Sequence, residues 1–152
     1  MKIIVYVAAA LAAFYLGSFL YMSIDSRKAR ETGLVNGKLR PCPGTPNCVL
    51  SEEKGGQSYI EPLKFEGDPL EKWAKVKAAA LALGGHVEKE SRGYLWATFR
   101  TSFWHFTDDL ELRLDAGNRV IHVRSASRVG KGDMSMNRKR VEKLRAVFNK
   151  NI

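Results

Sequence analysis

The chain has 152 residues, 45% apolar and 27% charged, values of one folded domain and not of a disordered, collagen-like or large multidomain protein. Lysine plus arginine outnumber aspartate plus glutamate by 25 to 16, and this charge of +9 favours acidic partners such as phospholipid headgroups, nucleic acid or acidic glycans. Two cysteines exclude a disulfide-dense miniprotein and cannot complete a four-ligand zinc site alone.

The first element, Ile3 to Met22, is 20 residues without a charge. As a helix it measures about 30 Å, the thickness of a bilayer's hydrocarbon core. An uncleaved transmembrane anchor is expected over residues 1–23. A cleaved signal peptide is the alternative, but its apolar region is shorter, about 7–15 residues, and Tyr21-Met22-Ser23 makes a poor cleavage site. No cysteine follows the run to accept a lipid. Arg27, Lys28 and Arg30 after the run, diluted by Asp25 and Glu31, outnumber Lys2 before it, which by the positive-inside tendency puts the domain in the cytoplasm.

Residues 24–40 read as a linker. In Pro41-Cys42-Pro43-Gly44-Thr45-Pro46-Asn47-Cys48, three prolines and a glycine exclude helix and force a tight loop. A Cys42–Cys48 bridge would close it, and bridges persist in oxidising compartments. Two unlinked thiols are the alternative. Siding with the bridge, we expect a single-pass inner-membrane protein whose domain, residues 41–150, faces the periplasm. His86, His105 and His122 lie in separate elements without metal-ligand spacing to the cysteines, so neither a metal nor a cofactor is expected.

Glu52 to Ser58 is polar and turn-like, and Tyr59-Ile60-Glu61-Pro62-Leu63 is a short extended stretch ended by proline. Asp68 can cap a helix with Pro69 in its first turn and Trp73, Val76, Ala80 and Leu83 at helical spacing, stopped by Gly84-Gly85. His86 to Ser91 and Tyr94 to Arg100, joined at Arg92-Gly93, read as a hairpin. Asp109 to Asp115 alternates with Leu110, Leu112 and Leu114 inward, and a turn at Ala116-Gly117-Asn118 leads to a strand over Arg119 to Ala126. This second hairpin is expected to bury one face. Ser135 or Asp133 can cap a last helix reaching about Phe148, with Val141, Leu144 and Phe148 inward. The expected fold is α+β, a mainly antiparallel sheet with two helices packed on one face, preceded by the single transmembrane helix.

Three segments, Cys42 to Val49, Phe103 to Asp109 (FWHFTDD) and Arg124 to Arg145 (RSASRVGKGDMSMNRKRVEKLR), together resemble the DUF1499 family, a domain of unknown function found in bacteria and plant plastids. The resemblance covers about residues 40 to 148. Its most specific part is Arg-Ser-Ala-Ser-Arg-x-Gly-x-x-Asp followed by Asn-Arg-x-Arg. Leu50 and Ser135 depart from the family's tendency to Ser and Gly at those positions. The resemblance implies the extent of the domain and no reaction, substrate or cofactor.

From Arg119 onward 10 lysines and arginines face only Asp133 and Glu142, a net of +8 that holds nearly all the excess charge. Read as function, this is an anion site. Arg124 and Arg128 leave the strand, Ser125 and Ser127 offer hydroxyls, and a glycine-containing loop leads past Asp133 to a helix N-terminus bearing Asn137, Arg138 and Arg140. The competing readings are Arg–carboxylate pairs to Asp108, Asp109 and Asp133, or general attraction to headgroups. Asp108 and Asp109 invite acid–base chemistry, but neighbours on a strand point to opposite faces. His105 between Trp104 and Phe106 reads as part of an aromatic cluster. No Gly-x-Ser-x-Gly elbow, P-loop or His-Glu-x-x-His helix is present. Nucleic acid is disfavoured, since Trp73, Trp96 and Trp104 are not interleaved with the basic string. The leading expectation is a noncatalytic envelope module, held by its helix, that binds an anionic lipid headgroup or another envelope anion. The runner-up is a small hydrolase-like enzyme built on Asp108, Asp109, Arg124 and Ser127.

Overall fold

The alternating segments form the hairpins expected of them. The computed structural model describes residues 2–28 and 30–150, so Met1 of the expected anchor and Ala29 of the expected linker lie outside the described residues. The elements are α1 (Lys2–Ser26), β1 (Leu34–Val35), β2 (Lys38–Leu39), β3 (Cys48–Leu50), β4 (Leu63–Lys64), α2 (Pro69–Ala82), β5 (His86–Ser91), β6 (Tyr94–Arg100), β7 (Thr107–Asp115), β8 (Val120–Ser127) and α3 (Met136–Lys150). Strands β3-β8-β7-β6-β5 lie side by side in one antiparallel sheet. The two short strands share the outer edge of β8, with Cys48 opposite Ala126 and Leu63 opposite Ile121. A second small sheet pairs β1 with β2.

The helices begin and end for local reasons. Asp68 accepts the Glu71 N–H at 2.8 Å to start α2. Gly84, at φ +89°, takes the left-handed turn that follows the last residues of α2. A side chain at the next residue, Gly85, would place its Cβ 2.8 Å from both the Ala80 carbonyl and the Phe99 ring, so this close helix–strand approach requires glycine. For α3 the cap is Asp133, which accepts the N–H groups of Ser135 at 2.9 Å and Asn137 at 2.7 Å.

Trp73, Val76 and Ala80 of α2 and Val141, Leu144 and Phe148 of α3 pack on Leu95, Ala97, Leu110, Leu112, Ile121 and Val123 of the sheet. Both helices therefore cover the same face, as the apolar spacing predicts. Each such large side chain contributes about 1.5–3 kcal/mol by leaving water.

The other face of the sheet is also covered. Glu111 is fully buried there and accepts the Tyr94 hydroxyl at 2.7 Å, the Gly33 N–H at 2.7 Å and Arg124 Nη1 at 2.8 Å. Glu52, from the turn-like segment, accepts the Leu39 N–H and pairs with Arg113 at 2.5 Å. These two carboxylates hold the N–H groups of Gly33, just before β1, and of Leu39, in β2, against the sheet, so the hairpin that reads as burying one face buries part of both. The Cys42–Cys48 bridge, with Cα atoms 5.7 Å apart, joins the segment after β2 to β3.

Candidate functional site

Alternation along β7 sends Asp108 to the helix side of the sheet and Asp109 to the opposite side. On the helix side, Arg140 Nη2 meets Asp108 Oδ2 at 2.5 Å while Nη1 reaches Ser125 Oγ at 3.0 Å. Asn137 is fully buried at the centre. Its Oδ1 accepts from Ser125 Oγ at 2.7 Å and Arg140 Nη1 at 2.5 Å. Its Nδ2 lies within hydrogen-bond distance of the Asn47 carbonyl, Ser127 Oγ and Asp133 Oδ2, at 2.8–2.9 Å. Five residues of the basic string, Ser125, Ser127, Asp133, Asn137 and Arg140, are thus brought together.

The other three lie elsewhere. Arg124 pairs with Glu111 across the strands on the far face. Arg128 also belongs to that side, bound to Asp109 through Nε at 2.9 Å and Nη2 at 2.7 Å. Arg138 donates to the carbonyls of Gln57 and Tyr59, both at 2.8 Å. Asp108 and Ser127 are separated by the sheet from Asp109 and Arg124, so the four residues of the hydrolase reading do not converge on one reacting atom. Arg128 and Asp109 side chains are each 4% exposed, and a buried pair of this kind costs several kcal/mol to break from one side.

Arg128 has a further task. Its Nη1 lies 3.2–3.4 Å from the carbonyls of Ser26, Arg27 and Lys28, placing a cation at the negative end of α1. The Thr107 N–H donates to the buried Ser26 Oγ at 3.0 Å. Two turns earlier, Phe19 stacks on Trp104 with ring centroids 5.0 Å apart, and Phe106 is 6.4 Å away. The last two turns of α1 are therefore fastened to the domain, while residues 2–17 of the helix are exposed.

Two neighbouring cavities share lining residues, and the second of them borders α1. A cleft of about 350 Å³ is lined by Phe99, Arg100, Thr101, Met136, Lys139, Arg140 and Lys143 among others. Arg140 is committed to Asp108, and Lys139 Nζ meets the Met134 carbonyl at 3.3 Å. Among the described residues, Arg100, Lys139 and Lys143 form no ion pair. A second cavity of about 260 Å³ lies between α1 and the loop before α3, walled chiefly by Phe19, Met22, Phe106, Val129, Met134 and Met136. Thr101 and Met136 line both.

A serine–histidine pair that sequence reasoning missed joins Ser51 Oγ to His122 Nδ1 at 3.2 Å, with Asp115 and Glu52 carboxylates 3.8 and 3.9 Å from Nε2. Ser51 is buried and accepts the Val123 N–H at 2.8 Å, and neither cavity above reaches it. Burial, aided by the charges of Arg113 and Lys38 and opposed by Glu52 and Asp115, holds the His122 pKa below its ordinary value. Burial, followed by the Glu111 charge and hydrogen bond, pushes the Tyr94 phenol up. Among the described residues no group of three His, Cys, Asp or Glu side chains is placed to hold a metal ion.

A family model, Protein of unknown function (DUF1499), matches residues 38–148. No curated protein matches the chain.

Proposed function

The chain belongs to the DUF1499 family, and we propose that this member is a noncatalytic module held on a bilayer by α1, where it binds the headgroup of an anionic lipid. The observation that carries the reading is the cleft of unpaired cations, Arg100, Lys139 and Lys143, which shares residues with the cavity beside α1. A phosphate or carboxylate entering this cleft meets cations that have no carboxylate to give up. Arg140 stands at the same cleft; Arg124, Ser125, Ser127, Arg128, Asp133, Asn137 and Arg138 serve the site by fixing the strand, loop and helix around it.

α1 is long and apolar enough to cross a membrane, and none of its most apolar 18-residue stretch is buried, so it has no protein core to join. Removal of a leader at Tyr21–Ser23 would strip Phe19 from Trp104 and Phe106, which supports a retained anchor. With α1 spanning, Phe19 lies about 4.5 Å inside the end of the apolar run at Met22, which puts Trp104 at the interfacial level where aromatic side chains settle. The chain then divides into an anchor, residues 1–23, a joining segment, 24–40, whose Gly33 and Leu39 are tied to Glu111 and Glu52, and the domain, 41–150. The Cys42–Cys48 bridge supports a periplasmic domain on the inner membrane.

Native mass spectrometry of the full chain released from nanodiscs of mixed zwitterionic and anionic phospholipid tests the reading. Replacing Arg100, Lys139 and Lys143 by Gln is expected to abolish preferential retention of the anionic lipid. Replacing the exposed Lys54, Lys64 and Lys89, the same loss of charge, is expected to preserve it. Equal losses would reduce the cleft to general electrostatic attraction, about 1 kcal/mol for each basic residue wherever it lies near the surface.

A further inference from the structure

We infer that the apolar cavity between α1 and the loop before α3 takes one hydrocarbon chain of the lipid whose headgroup occupies the basic cleft, so that the ligand is an anionic amphiphile bound by head and tail. This rests on the headgroup reading above. Thr101 and Met136 line both cavities, so the two spaces are neighbours, and a molecule reaching from one to the other passes over Met136, itself 45% exposed. Phe19 and Met22 belong to the apolar run of α1, and the cavity they line therefore opens at the depth where lipid chains begin.

The polar side chains in its wall already have partners within the protein, Thr101 Oγ1 accepting the Phe106 N–H. Asp108 is held by Arg140, and Ser127 and Asp133 by Asn137. A methylene chain that displaces solvent there therefore strands few donors or acceptors, which is the usual cost of burying such surface. At about 260 Å³ the space is smaller than pockets that enclose drug-sized ligands, which suits a single chain rather than a ring system. Met134 is 90% exposed at the rim although it and Ser135 both hold a positive φ, +51° and +61°. Exposed apolar surface of this kind at the opening suits contact with a lipid chain.

The test uses the full chain in nanodiscs containing a photoactivatable phospholipid with a diazirine on one acyl chain, in an anionic and a zwitterionic form. Crosslinked peptides are mapped by mass spectrometry. The anionic probe is expected to label residues 129–136 as well as α1, several-fold more at 129–136 than the zwitterionic probe. Gly132 borders the cavity, and a Cβ added to it meets nothing within 4 Å. Gly132→Phe is therefore expected to remove labelling at 129–136 and leave labelling of α1 unchanged; Val129→Trp, at another lining position, should do the same. Labelling of the wild type confined to α1 would overturn the chain site whatever the variants do. If the anionic preference in mass spectrometry survives that result, the headgroup reading stands without the chain site. Equal labelling of 129–136 by both probes, blocked by Gly132→Phe, would overturn the two-part ligand and leave an apolar site indifferent to charge.

Discussion

Replacing Arg128 by Met should destabilise the protein far more than loss of a surface charge. The guanidinium is 4% exposed and forms two hydrogen bonds to Asp109 while its third nitrogen meets three carbonyls at the end of α1. Met fills much of the same space, so the cost is mainly electrostatic. Among the described residues, Asp109, 3% exposed, then keeps only the Trp96 Nε1 donor at 2.8 Å. Stranding a buried carboxylate costs about 3–5 kcal/mol, and loss of the cation at the helix end adds about 0.3–1 kcal/mol. For a domain of this size that corresponds to a fall in Tm of roughly 10–20 °C. Urea denaturation of the full chain in nonionic micelles reads the free energy. Adding Asp109→Asn, which removes the stranded charge and keeps an acceptor for Trp96, should recover more than half of the loss. A loss below about 1 kcal/mol, the range of exposed pairs, would refute the claim that this pair is sealed from water.

Asn137→Ala should cost about 2 kcal/mol by urea denaturation, because it leaves Ser125, Ser127 and the Asn47 carbonyl short of partners inside the protein; a neutral result would mean that water already serves them. Reduction of Cys42–Cys48 should lower stability by about 2 kcal/mol, the loop-closure value for so short a ring, and alkylation without prior reduction should add no mass. His122, with its folded-state pKa depressed, binds fewer protons than in the unfolded chain. Its contribution is complete above the ordinary value of about 6.5 and is lost as pH falls below it. Stability should therefore drop as pH falls below about 6.5, and His122→Gln should flatten that part of the curve.

The elements read most directly were those whose signal is local. Caps at Asp68 and Asp133, the stripe Val141, Leu144 and Phe148, and the alternation of Leu110 and Leu112 each lie within one turn or one strand. The opposite orientations of Asp108 and Asp109 followed from that same alternation. β1, β2 and β3 are two or three residues long, and their pairing is decided by distant partners, as when Asn47 accepts the Ser127 N–H at 2.9 Å. Glu111 looked like the solvent side of a half-buried strand; opposite Arg124 and beside Tyr94, it is instead the anchor for residues near Gly33. The basic string drew attention to arginines that are occupied internally. The unpaired cations come from the end of β6 and from positions 139 and 143, one helical turn apart on α3, a spacing visible in the sequence once α3 is placed.

The depth of Trp104 tests most directly whether this domain lies against a bilayer on a retained anchor. In nanodiscs containing lipids brominated at successive chain positions, tryptophan fluorescence of the full chain is compared with that of Trp104→Phe, so that the difference reports Trp104 alone. Stacked on Phe19 near the end of the apolar run, Trp104 should be quenched most by bromines nearest the headgroup and progressively less by deeper ones. A difference signal that no brominated lipid quenches, with emission at the wavelength of water-exposed tryptophan, would contradict the account.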